Sequence, residues 1–424
     1  MFGSVGGWFS STSQGADKPY VRARREGTRR VFWSRRAGPC SRASDATRAT
    51  LERTEREDRL SLLGRLTDMF SRSRRETDPT KLFHEFPHPE NWKSIVDELE
   101  GRFGDGAKDI PEGMCPLGNR RATLRRFLVA RKYSVDDAEA ALREAIEWRK
   151  TVKIGDCVGI DAILGKEPRW DLLADNRKIM TGTPFLCYTK QGFPVYLLRL
   201  GKGDSALTTS ASEETHVYST IVRGEHLIQS IIPEATARAK KLAAEGKIQE
   251  AACADHDGLV DKQVVIIDME GVGMTALRAL YVLKTINSVA SHNYPELSKA
   301  IYVVNAPSAF DYLWSAVKPL LAVHTQHKIK IFSEREQQYS GLQRLLEDED
   351  IPDFLVPEGH THGAKDTVTT VDGFLPDTVK QMDEWLKSLS SNGTGDEEKN
   401  DEEVSATIEK MSAIEIKEDY AAAD

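Results

Sequence analysis

Cysteine is scarce. The 424 residues hold five, Cys40, Cys115, Cys157, Cys187 and Cys253, odd in number, scattered and without a Cys-x-x-Cys pair. That excludes a disulfide framework and a thiolate zinc site and fits a reducing compartment. No apolar run approaches the roughly 18 residues needed to span a bilayer, and the start lacks the apolar core of a signal peptide, so any membrane contact is expected to be peripheral. Phe2 follows Met1, leaving no glycine to myristoylate, and Ala-Ala-Ala-Asp is no prenylation box. A G-x-S-x-G elbow and a P-loop are both missing. His324 with His327, and Glu213 with His216, stand at i, i+3 spacing but lack partners that would complete a metal site; they read as solvated helix ends, so no metal and no cofactor is expected. No internal repeat is found.

What is present is a globular composition, 40% hydrophobic and 29% charged, enough for one large core or two ordinary ones with polar tails left over. The net charge of -8 conceals a polarity. Residues 1 to 50 carry nine Arg and one Lys against Asp17, Glu26 and Asp45, whereas 391 to 424 are dominated by Asp and Glu. The basic arm, low in apolar residues, reads as disordered, and its Arg- and Ser-rich composition fits either an organelle transit peptide or a solvated arm. Tyr20, Phe32 and Trp33 are interleaved with its arginines, but no folded basic module accompanies them, so nucleic acid is not an expected partner. From Asp58, Leu60, Leu63, Leu66, Met69 and Phe70 fall at helical spacing among arginines, giving a short basic amphipathic helix that fits docking on the domain or membrane contact.

Helical periodicity returns with Trp92, Ile95, Val96 and Leu99, and strengthens from Arg121 to Lys150. There Leu124, Phe127, Leu128 and Ala130, then Ala138, Ala141, Leu142, Ala145, Ile146 and Trp148, predict two helices broken at Tyr133-Ser134. After Pro184 the pattern changes to short β-branched runs, Val195 to Leu200, Val264 to Asp268, Ile301 to Asn305 and Ile329 to Phe332, separated by helix-length segments. Such alternation predicts βαβ units and a largely parallel sheet. Runs as apolar as Val264-Val265-Ile266-Ile267 belong where both sheet faces are covered. Ala235 to Lys247 reads as a helix, followed by a polar loop through Asp261.

Parallel strands joined by crossovers begin at the same sheet edge, so residues just ahead of neighbouring strands can converge. If the strands at Ile301 and Ile329 are adjacent, Glu296, Thr325 and Lys328 come together. A carboxylate, a hydroxyl and an ammonium suit a polyol phosphate, and equally suit a surface ion pair with a capping threonine. Between them Phe310, Leu313, Trp314, Val317, Leu320 and Leu321 form an apolar helix face interrupted near Pro319, which reads as core packing or as a lid. Gly271-Val272-Gly273-Met274-Thr275-Ala276 follows a strand and matches G-x-G-x-x-A, yet Asp268 and Glu270 stand where a pyrophosphate would approach and no acid follows about 20 residues on.

With these residues in view the chain resembles the Sec14-like (CRAL-TRIO) family of phospholipid transfer proteins. Two blocks carry the resemblance: Thr123 to Lys132 continuing to Glu147-Trp148-Arg149-Lys150, and Asn293-Tyr294-Pro295-Glu296 through Lys328-Ile329. Gly192-Phe193-Pro194-Val195-Tyr196 and Ile267-Asp268-Met269-Glu270-Gly271 support it. It implies an α/β fold in which a helical N-terminal lobe precedes a lipid-binding domain whose mostly parallel sheet, flanked by helices, encloses an apolar cavity. It implies a phosphatidylinositol headgroup site at Arg131, Lys132, Glu296, Thr325 and Lys328, and a gate and cavity at Phe310, Leu313, Trp314, Val317 and Leu320. Gln263 and Val265 stand where relatives that exchange phosphatidylcholine carry small hydroxyl residues, which puts choline-lipid binding in doubt.

The expected organisation is a disordered basic arm over 1–57, an amphipathic helix and linker over 58–88, and a helical lobe over 89–152. A lipid-binding domain over 153–360, a connector and C-terminal helix over 361–390, and an acidic disordered tail over 391–424 follow. The expected function is non-enzymatic: binding phosphatidylinositol as ligand and transferring it between membranes or presenting it to a lipid kinase. The protein is expected to be a cytoplasmic monomer, peripheral on membranes, with organelle targeting by the arm open. The alternatives are a carrier of a sterol or isoprenoid, a nucleotide-dependent enzyme using Gly271 and Gly273, and a scaffold with a filled cavity.

Overall fold

In the computed structural model, which describes residues 82–83, 88–247, 258–273, 280–307, 310–360 and 376–391, four helices start at a side chain that caps them. Helix α1 (Trp92–Gly101) precedes α2 (Arg120–Ala130) and α3 (Val135–Thr151). The Asn119 side chain accepts from the Ala122 N–H at the start of α2, and Ser134 accepts from Asp137 at the start of α3. Asp136 and Asp137 in the first turn of α3, with Arg149 and Lys150 in its last, complement the helix dipole. Between the helices Lys132 and Tyr133 take φ of 53° and 62°, a left-handed break one turn long. Leu99, Phe103, Leu124, Phe127, Leu128 and Leu142 make the core of this bundle.

A small hairpin, β1 (Lys153–Ile154) with β2 (Cys157–Val158), leads to α4 (Ile160–Gly165) and α5 (Trp170–Ile179). The main sheet follows, with β3 (Gly182–Thr183), β4 (Val195–Arg199), β5 (Gln263–Asp268), β6 (Ser298–Val304) and β7 (Ile329–Ile331) in that spatial order. Only the β3–β4 pairing is antiparallel; the other three are parallel. The four longer runs legible in the sequence are strands, whereas β1, β2 and β3, two residues each, are too short for any period to register.

Between β4 and β5 run α6 (Ser205–Ser210), α7 (Glu213–His226) and α8 (Ile232–Ala244), the last two joined by a π-helical turn, Leu227–Ile231. Helix α9 (Leu280–Asn293) links β5 to β6. Between β6 and β7 lie α10 (Phe310–Val317), a 3-10 turn (Lys318–Leu320) and α11 (Val323–Lys328). Pro319, which has no N–H to donate, stands in that turn. Then come α12 (Arg335–Gln343) and α13 (Pro376–Ser391). The basic arm, the amphipathic helix from Asp58, residues 248–257 and 274–279, the connector 361–375 and the tail from 392 lie outside the described residues.

The two sheet faces differ. On one, Val264, Ile266, Ala300, Tyr302 and Val304 are at most 1% exposed, packed under Ala235 and Ala239 of α8 and Tyr339 and Leu342 of α12. On the other, Tyr196, Val265, Ile301 and Ile329 share one register row, and Leu198, Ile267, Val303 and Ile331 the next. Here Tyr196, Ile267 and Ile301 are only half-buried and Ile331 is 39% exposed. Phe310, Leu313 and Ala306 are buried on this side, but Trp314, Val317 and Leu320 are not fully covered. Along α9 the only buried residue is Val282, with Leu283, Ile286 and Val289 half-buried.

The lobe and the sheet domain meet at a buried carboxylate. Glu225 on α7 takes both terminal nitrogens of Arg149 from α3, at 2.5 and 2.8 Å, the Tyr294 hydroxyl at 2.8 Å and the Gln229 amide at 2.7 Å. Burial, then the charge of Glu225, push the Tyr294 phenol well above its ordinary range, so it remains a neutral donor. Gly224 is needed beside it, because a Cβ there would lie 2.8 Å from the Tyr294 ring. Removing the carboxylate would strand the Arg149 charge, so Glu225→Ala is expected to lower the unfolding free energy by about 3–5 kcal/mol, measured by urea denaturation.

Helix α13 packs Met382 and Leu386 against α4, α5 and α7, and Trp385 lies 4.9 Å from the His226 ring. Burial alone holds His226 down at about 4, against an ordinary 6.5. A base depressed in the fold is protonated first in the unfolded chain, so this contribution is fully present above pH 6.5 and lost as pH falls toward 4. The loss expected from this one group is on the order of 3 kcal/mol. Melting temperatures from pH 7.5 to 4.5 should therefore fall, and His226→Phe should flatten the decline.

Candidate functional site

Strands β6 and β7 are adjacent and parallel, so the residues ahead of them converge as the spacing implied. Glu296 stands in the Tyr294-Pro295-Glu296 turn with φ 61°, an unfavourable conformation for a non-glycine residue that the Tyr294 anchor two residues earlier holds in place. Lys328 ends α11 and donates to Glu296 at 2.5 Å. Thr325 is one helical turn before Lys328 on the same short helix and is half-buried. Arg131 caps the C-terminus of α2 and Lys132 begins the left-handed break, and neither forms an ion pair among the described residues. Lys132 is near enough to act electrostatically on His324 of α11, which links the lobe to this edge.

The alternative of a surface ion pair needs correction, because the side chains of Lys328 and Glu296 are only 7% and 8% exposed. Burial follows from the crowding of two strand starts and α11 at one edge, and it makes the pair structurally expensive to break.

Further charges stand beside this pair. Lys262, immediately ahead of β5, meets Asp261 at 3.1 Å, and the same carboxylate pairs with Arg125 of α2 at 3.2 Å. Burial lowers the Lys262 ammonium, and the positive charges of Arg125 and Lys328 add to that, opposed by Asp261. Tyr133 is pushed up to about 12 by burial, with the Glu296 charge acting in the same direction and Arg125 against it. His324, its Nδ1 3.9 Å from Glu296, is lowered chiefly by burial, with Lys328 and Lys132 contributing. Arg125, Lys132, Lys262 and Lys328 thus outnumber Asp261 and Glu296, an excess of positive charge suited to an anion. The rule that located Glu296 and Lys328, reading the residue ahead of each parallel strand, also points to Lys262; Arg125 and Tyr133 carried no comparable signal.

The loop at Gly271 has a different use. Asp268 is engaged by Arg199 at 3.3 Å and by the Asn305 amide at 2.9 Å, both within the protein. Gly271, at φ 84°, lies against Gly201, where any Cβ would meet the Glu270 carbonyl at 1.6 Å. These glycines serve a close backbone approach. Gly273 lies just ahead of residues outside the description. Among the described residues no three His, Cys, Asp or Glu side chains gather as a metal site would require, and no helix is long and apolar enough to cross a membrane.

A sheet with one closed and one half-open face, charged at the edge where its strands begin, defines a class, and comparison with known proteins agrees with it. Residues 182–355 match the CRAL/TRIO domain. The chain thus carries a CRAL/TRIO domain preceded by a helical bundle, as the sequence resemblance implied. It is 30% identical over 266 residues to the protein real-time of Anopheles gambiae, covering 62% of this chain and 34% of that protein. It is 27% identical over 241 residues to the phosphatidylinositol/phosphatidylcholine transfer protein SFH12 of Arabidopsis thaliana, covering 55% and 38%. The chain therefore spans little more than a third of the length of these relatives. Among solved structures, the crystal structure of Sfh5 aligns with TM-score 0.44 and 15% identity over 72% of this chain and 100% of that one.

Because the pair at the strand edge is buried, Lys328→Ala is expected to cost about 3–5 kcal/mol by leaving Glu296 uncompensated. Adding Glu296→Gln should restore part of that loss. A double-mutant cycle in urea measures the coupling, and additive losses would show that the two side chains do not act as a pair.

Proposed function

We propose that this protein binds phosphatidylinositol in its CRAL/TRIO domain and transfers it between membranes or presents it to a lipid kinase. The observation that carries the reading is the unequal sheet. One face is sealed, while the other is lined by half-buried Ile267, Ile301, Trp314 and Val317, with the Lys328–Glu296 pair at the edge where its strands start. Apolar side chains left half-covered beside a charged rim suit a ligand with an anionic polyol head and two acyl chains.

In this reading Arg131, Lys132, Thr325 and Lys328 hold the phosphodiester and Glu296 accepts from inositol hydroxyls. Lys328 would turn from Glu296 toward phosphate on loading, with Lys262 and Arg125 keeping the edge positive. Two acyl chains hold about 30 methylenes, so exposing them would cost on the order of 25 kcal/mol. Exchange then requires a cover that opens against a bilayer, and α10 with the turn at Pro319 is the element proposed to move. Asn287 of α9 donates to the Leu320 carbonyl at 2.8 Å, one bond that such a movement would break.

Val265 faces the half-open side in register with Tyr196 and Ile301, and it brings no hydroxyl. That supports inositol-lipid transfer without choline-lipid exchange. The SFH12 relative's name includes both lipids, so the two should be assayed side by side. The full chain is expected to move labelled phosphatidylinositol, but not phosphatidylcholine, between vesicles. Lys132→Ala and Thr325→Ala, which leave the buried pair intact, should each slow transfer several-fold, and the double variant Lys328→Ala/Glu296→Gln should abolish it. Equal transfer of both lipids, or no transfer by folded protein, would overturn the assignment.

A further inference from the structure

A cavity of about 30 Å³ lies under α13, away from the Glu296–Lys328 edge, lined by Asn176, Arg177, Tyr196, Ser219 and Arg223 and by apolar Leu173, Met180, Pro184, Val379 and Met382. Two of its polar residues present donors that lack acceptors. Asn176 is 6% exposed, and among the described residues its side-chain nitrogen has no hydrogen-bond partner, nor has the Arg177 Nε. Buried donors without acceptors are costly, and a native site that leaves them points to a ligand that supplies the acceptor.

Charge narrows the ligand. Arg177 is neutralised by Asp383 of α13. Arg223 of α7 donates to the Tyr196 hydroxyl at 2.8 Å and to the Ser219 carbonyl at 3.4 Å but forms no ion pair among the described residues. One guanidinium is thus left uncompensated beside the unpartnered amide nitrogen. The volume admits two or three water-sized centres, at about 10–15 Å³ each, which suits the three heavy atoms of a carboxylate. The remaining walls are apolar, and Tyr196 also belongs to the half-open sheet face, which offers a path for a chain.

We propose that this cavity beneath the C-terminal helix holds the carboxylate of an acidic amphiphile, a long-chain fatty acid in chemical class, with Arg223 and Asn176 on the carboxylate oxygens. The carboxylate end uses none of the headgroup residues, whereas the path for the chain is the half-open sheet face and rests on the reading of that face as a lipid surface.

The test is calorimetric titration of the full chain with sodium oleate below its aggregation concentration, at pH 7.5, beside oleyl alcohol and sodium acetate. Oleate is expected to bind one to one and oleyl alcohol at least about tenfold more weakly, the loss of a charge-assisted bond. Acetate, which lacks the chain, should bind far more weakly than either. Arg223→Gln should weaken oleate by about tenfold or more with an unchanged melting temperature, and Arg223→Lys should recover part of the affinity. Oleate and its alcohol binding equally, acetate binding as tightly as oleate, or Arg223→Gln matching the wild type would overturn the proposal. The oleate-to-alcohol comparison uses wild-type protein alone, so it decides the matter even where Arg223→Gln fails to fold.

Discussion

Glu225 is a carboxylate with no exposure to solvent, and its two oxygens join three parts of the chain that are far apart in sequence. Arg149 brings the helical bundle, α7 supplies the carboxylate itself, and Tyr294 brings the turn ahead of β6. An ionised group buried so deeply is tolerable only when every lone pair is used, and here an Arg fork, a phenol and the Gln229 amide use them. The strained Glu296 lies two residues beyond Tyr294, so the geometry of the strand edge depends on this anchor.

The sheet adds a second constraint. A parallel sheet normally needs both faces covered. One face obtains that from α8 and α12 with almost complete exclusion of solvent, whereas α10 covers the other only in part. A short helix stopped by a proline-containing turn, whose Leu320 carbonyl accepts from Asn287 of α9, is a weaker cover than a helix packed along its length. The same physics that seals one face leaves the other able to accept apolar matter, which connects the packing of the fold to the carriage of a lipid.

Much of this was legible in the sequence. The break at Tyr133-Ser134, the helix periods of the bundle and the four apolar strand runs are local signals, because caps and periodicity act within a few residues. The convergence of Glu296 and Lys328 follows from the strand order once β6 and β7 are neighbours, since parallel strands begin at one edge. Burial of that pair was not legible, because it depends on what α11 and the neighbouring turn cover. Arg125 was read only as part of a helix, and its link to Asp261 crosses 136 residues, a distance at which no local pattern carries information.

The sequence by itself determined the class of fold, the helices of the bundle and the four longer strands in their order, the absence of a long apolar run and the residues at the strand edge, because each follows from short-range chemistry or from the topology of parallel strands. Only the tertiary structure decided that the edge pair is buried, that Arg125, Asp261 and Lys262 stand beside it, that the two sheet faces are unequally covered, and that Asn176 and Arg223 face one cavity under α13. Those properties arise where segments distant in sequence exclude water together, and solvent exclusion is a property of the assembled surfaces rather than of any one segment.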